Sequence, residues 1–230
     1  MKFTKGMQAL SLFLVLALAG AMFVPAVSAE SNQEYRTEIT PIDVNSEVTS
    51  FFNEKSDTTV KASEIISLVN PGYYQNLTDD QKKEFENLDV YIPDINDPEA
   101  TSEFTIISKK KDPNTKGAFV VTAHVDGFVD NEFVWLGVEG VCYMGSQRAD
   151  TLMPSLETSA TLFHRTSSTW VQEEYETSST SYGWYDEAVG TMWNPDSGDY
   201  RTTAVIYMVF PPGFEPQTWC AVGYSSIITK

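Results

Sequence analysis

Tyr200–Val209 reads YRTTAVIYMV, and this stretch decides the fold of the chain. Its residues alternate strictly between two faces with a two-residue period, which predicts a β-strand. Pro211-Pro212-Gly213 ends the run, because proline has no N–H to give to a sheet and glycine accepts turn geometry. Gln217–Ile227 resumes the two-residue period, so the last thirty residues predict an antiparallel strand pair.

Alternating stretches of the same character precede this pair, and none of them is separated from the next by a helical pattern. Gly145–Ser155 is the longest interruption and is interpreted as an irregular loop. We therefore predict a mainly β fold, an antiparallel β-sandwich of Ig-like or jelly-roll-like type, over residues 100–230. The remaining predicted strands are Glu103–Ser108, Ala118–Val125, Phe133–Met144, a hairpin of Glu157–Arg165 and Thr169–Tyr175, Ser178–Trp184 and Ala188–Met192.

Residues 30–99 predict a polar lead-in followed by a small helical segment. Apolar residues at helical spacing mark Asn45–Lys55, Ser63–Asn70 and Thr78–Asn87 as short helices. The third is the best marked, since its first residue and Gln81 have the spacing of a capping box. The acidic, proline-containing run Pro93–Glu99 is interpreted as the hinge before the β domain.

Residues 1–29 have the pattern of a signal peptide. Two lysines precede the apolar stretch Leu10–Val24, and Val27-Ser28-Ala29 offers small residues for cleavage. An uncleaved signal anchor is the alternative. Cleavage predicts a secreted protein, extracellular or at the cell surface, with no membrane span left.

The chain carries 15 basic and 32 acidic residues, a formal net charge of −17. Such a charge repels nucleic acid, which we exclude as a partner. Divalent cations would be attracted, and the carboxylates of Pro93–Glu99 make calcium possible, although they lack the pattern of an EF-hand loop. No other cofactor and no metal site is expected.

The two cysteines, Cys142 and Cys220, predict one disulfide in an exported protein. In this interpretation the bond joins the final strand pair to the Phe133–Met144 strand and closes the sandwich. Two free buried thiols are the alternative. Asn76-Leu77-Thr78 is a sequon, so Asn76 is a candidate glycosylation site, while Thr78 also suits a helix cap.

No catalytic motif is recognisable. There is no Gly-x-Ser-x-Gly elbow, and His124 and His164 are too far apart in sequence for a zinc motif such as His-Glu-x-x-His. Aromatic residues are the best candidates for ligand contact, because such side chains bury much area at low entropic cost; ordinary core packing is the alternative. The candidate ligand-binding aromatics are Tyr182, Trp184, Tyr185 and Trp193.

Thr158–Ser226 resembles a β-sandwich module common in small exported bacterial and archaeal proteins. The resemblance lies in Ser159–His164, in Ser168-Thr169-Trp170-Val171, and in Gly198-Asp199-Tyr200-Arg201 before the long strand. It implies an Ig-like or fibronectin-like topology and assigns no functional residue.

Two functions are compatible with these features. The first is a secreted, non-enzymatic protein with a binding or structural role toward an extracellular ligand, carbohydrate or protein. The second is an extracellular hydrolase that acts on polysaccharide or peptide, with or without calcium, through carboxylates of the acidic loops.

Overall fold

A computed structural model describes residues 41–112, 114, 117–130 and 139–230, with side chains from residue 46 onward except those of residues 129 and 130. The predicted signal peptide and residues 133–138 of the predicted strand Phe133–Met144 lie outside these residues. Ile39–Lys230 form a compact unit. The predicted boundary near residue 99 stays a prediction.

Helices dominate the first part of the described chain and strands the rest. The helices are α1 (Pro41–Glu54), α2 (Ala62–Val69), α3 (Pro71–Asn76) and α4 (Asp79–Asn87). The strands are β1 (Thr58–Lys61), β2 (Asp89–Ile92), β3 (Glu103–Lys110), β4 (Ala118–Asp130), β5 (Gly140–Thr166), β6 (Thr169–Trp193), β7 (Asp199–Val209), β8 (Phe214–Glu215), β9 (Thr218–Tyr224) and β10 (Ile228–Thr229).

The helix signals identified in the sequence are mostly confirmed. Thr78 caps α4 in a capping box, its hydroxyl accepting from the backbone N–H of Gln81 while the Gln81 side chain accepts from the Thr78 N–H. The predicted helix Ser63–Asn70 corresponds to α2, which ends at Val69 just before Pro71. Pro71 then begins α3, because proline at the first helical position forfeits no hydrogen bond.

The main sheet is antiparallel and nearly closes on itself. Its strands follow the order β10-β7-β5-β4-β3-β8, with β6 paired to β5 and β9 paired to β7, while β1 and β2 form a separate two-stranded sheet. The mainly β, antiparallel class and the small helical part before it are therefore confirmed. The pairing gives one nearly continuous sheet, and it does not confirm a sandwich of two sheets.

The hairpin of β5 and β6 bends sharply in its middle. Its inner part pairs Gly140–Arg148 with Tyr185–Trp193, and its outer part pairs Met153–Thr166 with Thr169–Gly183. The predicted loop Gly145–Ser155 is thus wrong. A Cβ on Gly145 would lie 2.7 Å from that of Ala204 on β7, so the strand needs glycine where another strand crosses it closely.

Buried side chains form three clusters on the two sides of β7. Even-numbered residues of β7, such as Ile206, face a core enclosed by β3, β4 and β5. Odd-numbered ones, such as Tyr207, face the helices, where Phe52, Ile65 and Phe85 cover the sheet. A third cluster, which includes Tyr143 and Leu162, fills the inside of the bent hairpin. β7 is thus buried on both of its faces.

The predicted disulfide between Cys142 and Cys220 is wrong, because both thiols are free and buried. Cys220 belongs to the cluster under the helices. Cys142 lies on β5, where it accepts a hydrogen bond from the hydroxyl of Thr191 at 3.5 Å. β5 and β9 are not neighbours in the sheet, so the pairing order keeps the two cysteines on separate strands.

Candidate ligand-binding face

Strands β3, β4, β5 and β6 lie side by side, and one face of this part of the sheet is turned away from the core. The register aligns Glu103 with His124, His124 with Ser146, and Ser146 with Glu187. Residues aligned in register lie on the same face of the sheet. Along each strand every second residue, counted from these four, lies on that face as well. We call this side the outer face.

The outer face carries an unusual set of exposed apolar side chains. Tyr185 and Trp193 are each 44 % exposed, and Val189, midway between them on β6, is 49 % exposed. Phe128 of β4 and Ile107 of β3 are also exposed on this side. Four residues of strand span about 13 Å, so the row on β6 extends over roughly 26 Å. Large side chains left in water in this way mark interaction surfaces.

Trp193 rests on a glycine of the neighbouring strand. A Cβ on Gly140 would lie 3.1 Å from two carbons of the Trp193 ring, so the bare backbone lets the indole lie close to the sheet. The indole nevertheless stays 44 % exposed, and an exposed aromatic side chain offers apolar area to a ligand.

Tyr182 and Trp184 lie at the bend of the hairpin, which we call the corner. Here the register shifts between Arg148 and Met153, so that extra residues of β5, Leu152 among them, bulge out. Tyr182 is 79 % exposed and Trp184 59 % exposed. Tyr182 has a φ of 52°, a left-handed conformation that is uncommon for a tyrosine and that is found disproportionately at functional positions.

Polar groups surround the aromatic row. His124 lies between two carboxylates, with Nδ1 3.6 Å from Oε1 of Glu103 and Nε2 3.9 Å from Oδ2 of Asp126. Partial burial, followed by a hydrogen bond to Glu187, raises the pKa of the Tyr185 phenol. The face thus combines aromatic rings with carboxylate and imidazole groups that can exchange hydrogen bonds with a hydroxylated ligand.

His164 has a packing role. Its ring stacks on that of Tyr200, with centroids 4.4 Å apart and planes 8° from parallel, and Nδ1 lies 3.4 Å from Oε1 of Glu173. A Cβ on Gly198 would lie 2.5 Å from Nε2. His124 and His164 are not brought together, since they lie on β4 and on the outer part of β5.

Two carboxyl groups are deeply buried in the hairpin, that of Glu157 in its outer part and that of Asp186 in its inner part, close to the bend. Oε1 of Glu157 accepts hydrogen bonds from the hydroxyls of Ser155 at 3.0 Å and Ser179 at 2.8 Å, whereas Oε2 has no partner. Burial raises the pKa of Glu157 to about 8, and the charge of Asp186 contributes in the same direction. Ser155 in turn lies 3.2 Å from the hydroxyl of Tyr73, which connects this group to α3.

Asp186 lies on the opposite side of the sheet. Its Oδ1 accepts from the hydroxyls of Ser178 at 2.7 Å and Thr180 at 3.0 Å, and burial raises its pKa. Ser178 and Ser179 are neighbours on one strand and therefore point to opposite faces. Glu157 and Asp186 are thus separated by the sheet and cannot flank one bond of a substrate.

The carboxylates of Pro93–Glu99 mainly stabilise their own turns. Asp94 accepts from the backbone N–H of Asn96 and the hydroxyl of Ser56, and these hydrogen bonds lower its pKa. Asp97 accepts from the N–H of Glu99 at 2.9 Å. Within the described residues, no group of three or more His, Cys, Asp or Glu side chains is placed to hold a metal ion.

Asn76 is exposed at the C-terminal end of α3, two residues before the cap of α4. Its modification stays a prediction. In the part of the chain that the structure describes, no helix has the length and apolar character needed to cross a membrane.

All four aromatic residues predicted to contact a ligand are therefore at the surface, but in two groups: Tyr185 and Trp193 on the outer face, Tyr182 and Trp184 at the corner. Sequence reasoning missed Phe128, which lies beyond the predicted strand Ala118–Val125 but inside β4, and Val189. The two-residue period from Tyr185 to Trp193 already places Val189 on their side, and this signal could have found it.

Comparison with known proteins adds nothing to this geometry: no family model, no curated protein and no solved structure matches the chain.

Proposed function

We propose that the protein is a non-enzymatic binding protein of the cell exterior, and that its outer face holds an extended, neutral polysaccharide. The observation that carries the proposal is the row of exposed side chains Tyr185, Val189 and Trp193 on one strand. Aromatic rings stack on the apolar faces of sugar rings and lose little conformational entropy in doing so.

The chemistry around the row supports a sugar ligand. Hydroxyl, carboxylate and imidazole groups border the rings, and each can pair with sugar hydroxyls. The net charge of −17 disfavours nucleic acids and other polyanions. A row of roughly 26 Å fits a chain of several sugar units better than a single small ligand.

Hydrolysis is the less favoured function. It needs two carboxyl groups across one cleft. The deeply buried pair Glu157 and Asp186 lies on opposite faces of the sheet, and no specific observation assigns other carboxylates to that task.

Co-sedimentation of the full chain with insoluble cellulose, chitin and xylan tests the proposal. We expect retention on at least one polymer and a loss of about tenfold in affinity for Trp193→Ala, which corresponds to about 1.4 kcal/mol. Tyr91→Ala is the matched control, because Tyr91 is also an exposed aromatic residue, at 54 %, but lies on β2. Equal binding by both variants, or no retention on any polymer, would refute a sugar-binding outer face.

A further inference from the structure

The nearly closed sheet has a seam between β3 and β9. At one end β8 pairs with β3, aligning Glu215 with Lys109. At the other end the N–H of Tyr224 donates to the carbonyl of Thr101 at 3.2 Å. Between these points β3 and β9, both described in full, share no ladder of hydrogen bonds. The sheet is thus fastened at both ends of the seam and open in the middle.

The register identifies which backbone groups of β9 face the opening. The N–H of Phe210 donates to the carbonyl of Gln217 at 2.8 Å, and that of Ser225 donates to Thr202 at 3.0 Å. Backbone groups alternate in direction along a strand. Trp219, Ala221 and Gly223 therefore point their N–H and C=O toward β7, whereas Cys220 and Val222 point theirs away from it.

These outward groups border a cleft of about 350 Å³. Trp219 and Phe104 form one wall, with ring centroids 6.1 Å apart, and Tyr91 of β2 forms another. Tyr91 is 54 % exposed, although its hydroxyl is fixed by donation to Asp57 at 2.6 Å. An unpaired strand edge beside aromatic walls is the arrangement by which proteins accept an added strand.

The cleft is acidic. Its lining includes the carboxylates of Asp89, Asp97 and Glu99 and no lysine or arginine. Lys61 pairs with Asp89 at 2.6 Å from the rim. Arg201 is buried behind the Pro93–Glu99 loop and donates to the carbonyls of Ile95 and Asp97, so it holds that loop in place. Asp97 and Glu99 are left to face an incoming group.

We propose that this cleft binds an extended, basic peptide segment that adds as a strand to the outward edge of β9. Side chains of a strand alternate, so every second residue would reach the carboxylates while the others cover Trp219 and Phe104. Charge complementarity selects lysine or arginine at the first set of positions. This site is separate from the outer face, and the partner is a second ligand besides the polysaccharide.

Fluorescence anisotropy tests the proposal with three labelled peptides of one length and the full chain. The first is acetyl-Gly-Lys-Val-Lys-Val-Lys-Gly-amide, the second has glutamate for each lysine, and the third is the lysine peptide N-methylated at every lysine and valine, which blocks both of its edges. We expect binding by the first alone, because the second is repelled and the third cannot donate to the strand edge. The double variant Asp97→Asn, Glu99→Gln should weaken binding by roughly fivefold at low salt, while the double variant Glu47→Gln, Glu54→Gln, at exposed positions of α1 outside the cleft, leaves it unchanged.

Amide hydrogen exchange gives a second readout that does not depend on mutation. In the free protein the amides of Cys220 and Val222 should exchange at least about tenfold faster than that of Ala221, and the lysine peptide should slow them. Three results would overturn the proposal. The first is equal protection of all three amides, and the second is equal binding of the glutamate or N-methylated peptide. The third is that self-association of the chain at high concentration, and not the peptide, slows exchange of the Cys220 and Val222 amides.

Discussion

Replacing Glu157 by glutamine should change how stability depends on pH. The folded protein holds this carboxyl group almost without solvent contact, at 1 % exposure, and raises its pKa from 4.5 to about 8. A group whose pKa is higher in the folded state binds its proton more tightly there, so folding is favoured at low pH. That stabilisation is fully present below pH 4.5 and is lost as the pH rises to about 8.

The size of the effect follows from the shift. At about 1.36 kcal/mol per pKa unit, the wild-type chain should lose roughly 5 kcal/mol of unfolding free energy between pH 4.5 and pH 8 through this residue alone. Glutamine keeps an acceptor for Ser155 and Ser179 but has no proton to lose. The amide group of the glutamine takes the position of Oε2, where the protein offers no hydrogen-bond partner. This unpaired donor lowers the free energy of unfolding by about 1–3 kcal/mol at every pH.

Urea unfolding of both proteins at several pH values between 4 and 8.5 measures this difference. The glutamine variant should be less stable than wild type near pH 4.5 and more stable near pH 8. Glu187→Gln, at a more exposed position on the paired strand β6, serves as the matched control and should leave the pH dependence of wild-type stability unchanged. Parallel profiles for wild type and Glu157→Gln would refute the assignment of a buried, proton-holding carboxyl.

Three further predictions concern the fold. Thiol titration of the denatured, unreduced protein should find both Cys142 and Cys220 free. If neither cysteine reacted, the result would instead support a disulfide between them. Thr78→Ala should lower the free energy of unfolding by about 1 kcal/mol, because it removes the cap of α4, and Thr78→Ser should restore that stability. Asn76→Gln should remove only a glycan and leave the stability unchanged. Equal stability of all three variants would contradict the capping box. Gly183→Ala should destabilise the corner by about 1–3 kcal/mol, because its Cβ would lie 2.1 Å from Cγ2 of Thr180; a neutral effect in thermal unfolding would contradict that packing.

The elements that could be predicted from sequence are those whose signals are local. The alternation of Tyr200–Val209 marks β7, and Thr78 with Gln81 marks α4, because a strand period or a cap involves residues close in sequence. The bend in β5 could not be predicted in this way. Gly145 and Pro154 indicate a loop locally, yet one lies where β7 crosses and the other beside the bulge.

The candidate site likewise combines features that local sequence signals predict with features that depend on distant contacts. Exposure of Tyr182, Trp184, Tyr185 and Trp193 depends on which face the bent hairpin turns to solvent, so sequence could propose these residues but not separate the face from the corner. The disulfide failed for a related reason: Cys142 and Cys220 each lie in an alternating strand, but pairing order places those strands apart. The open seam is also invisible in sequence, because it depends on strands that do not pair.

The most direct test of the outer face is NMR of the tryptophan indole N–H groups during titration with cellohexaose, chitohexaose or xylohexaose. The Trp193 signal should shift, because its ring lies in the aromatic row. The Trp170 signal should stay, because that side chain is fully buried and its indole N–H donates to Asn96 at 3.0 Å. A binding oligosaccharide that leaves the Trp193 signal in place, or that shifts Trp219 in the β9 cleft instead, would contradict recognition by the outer face.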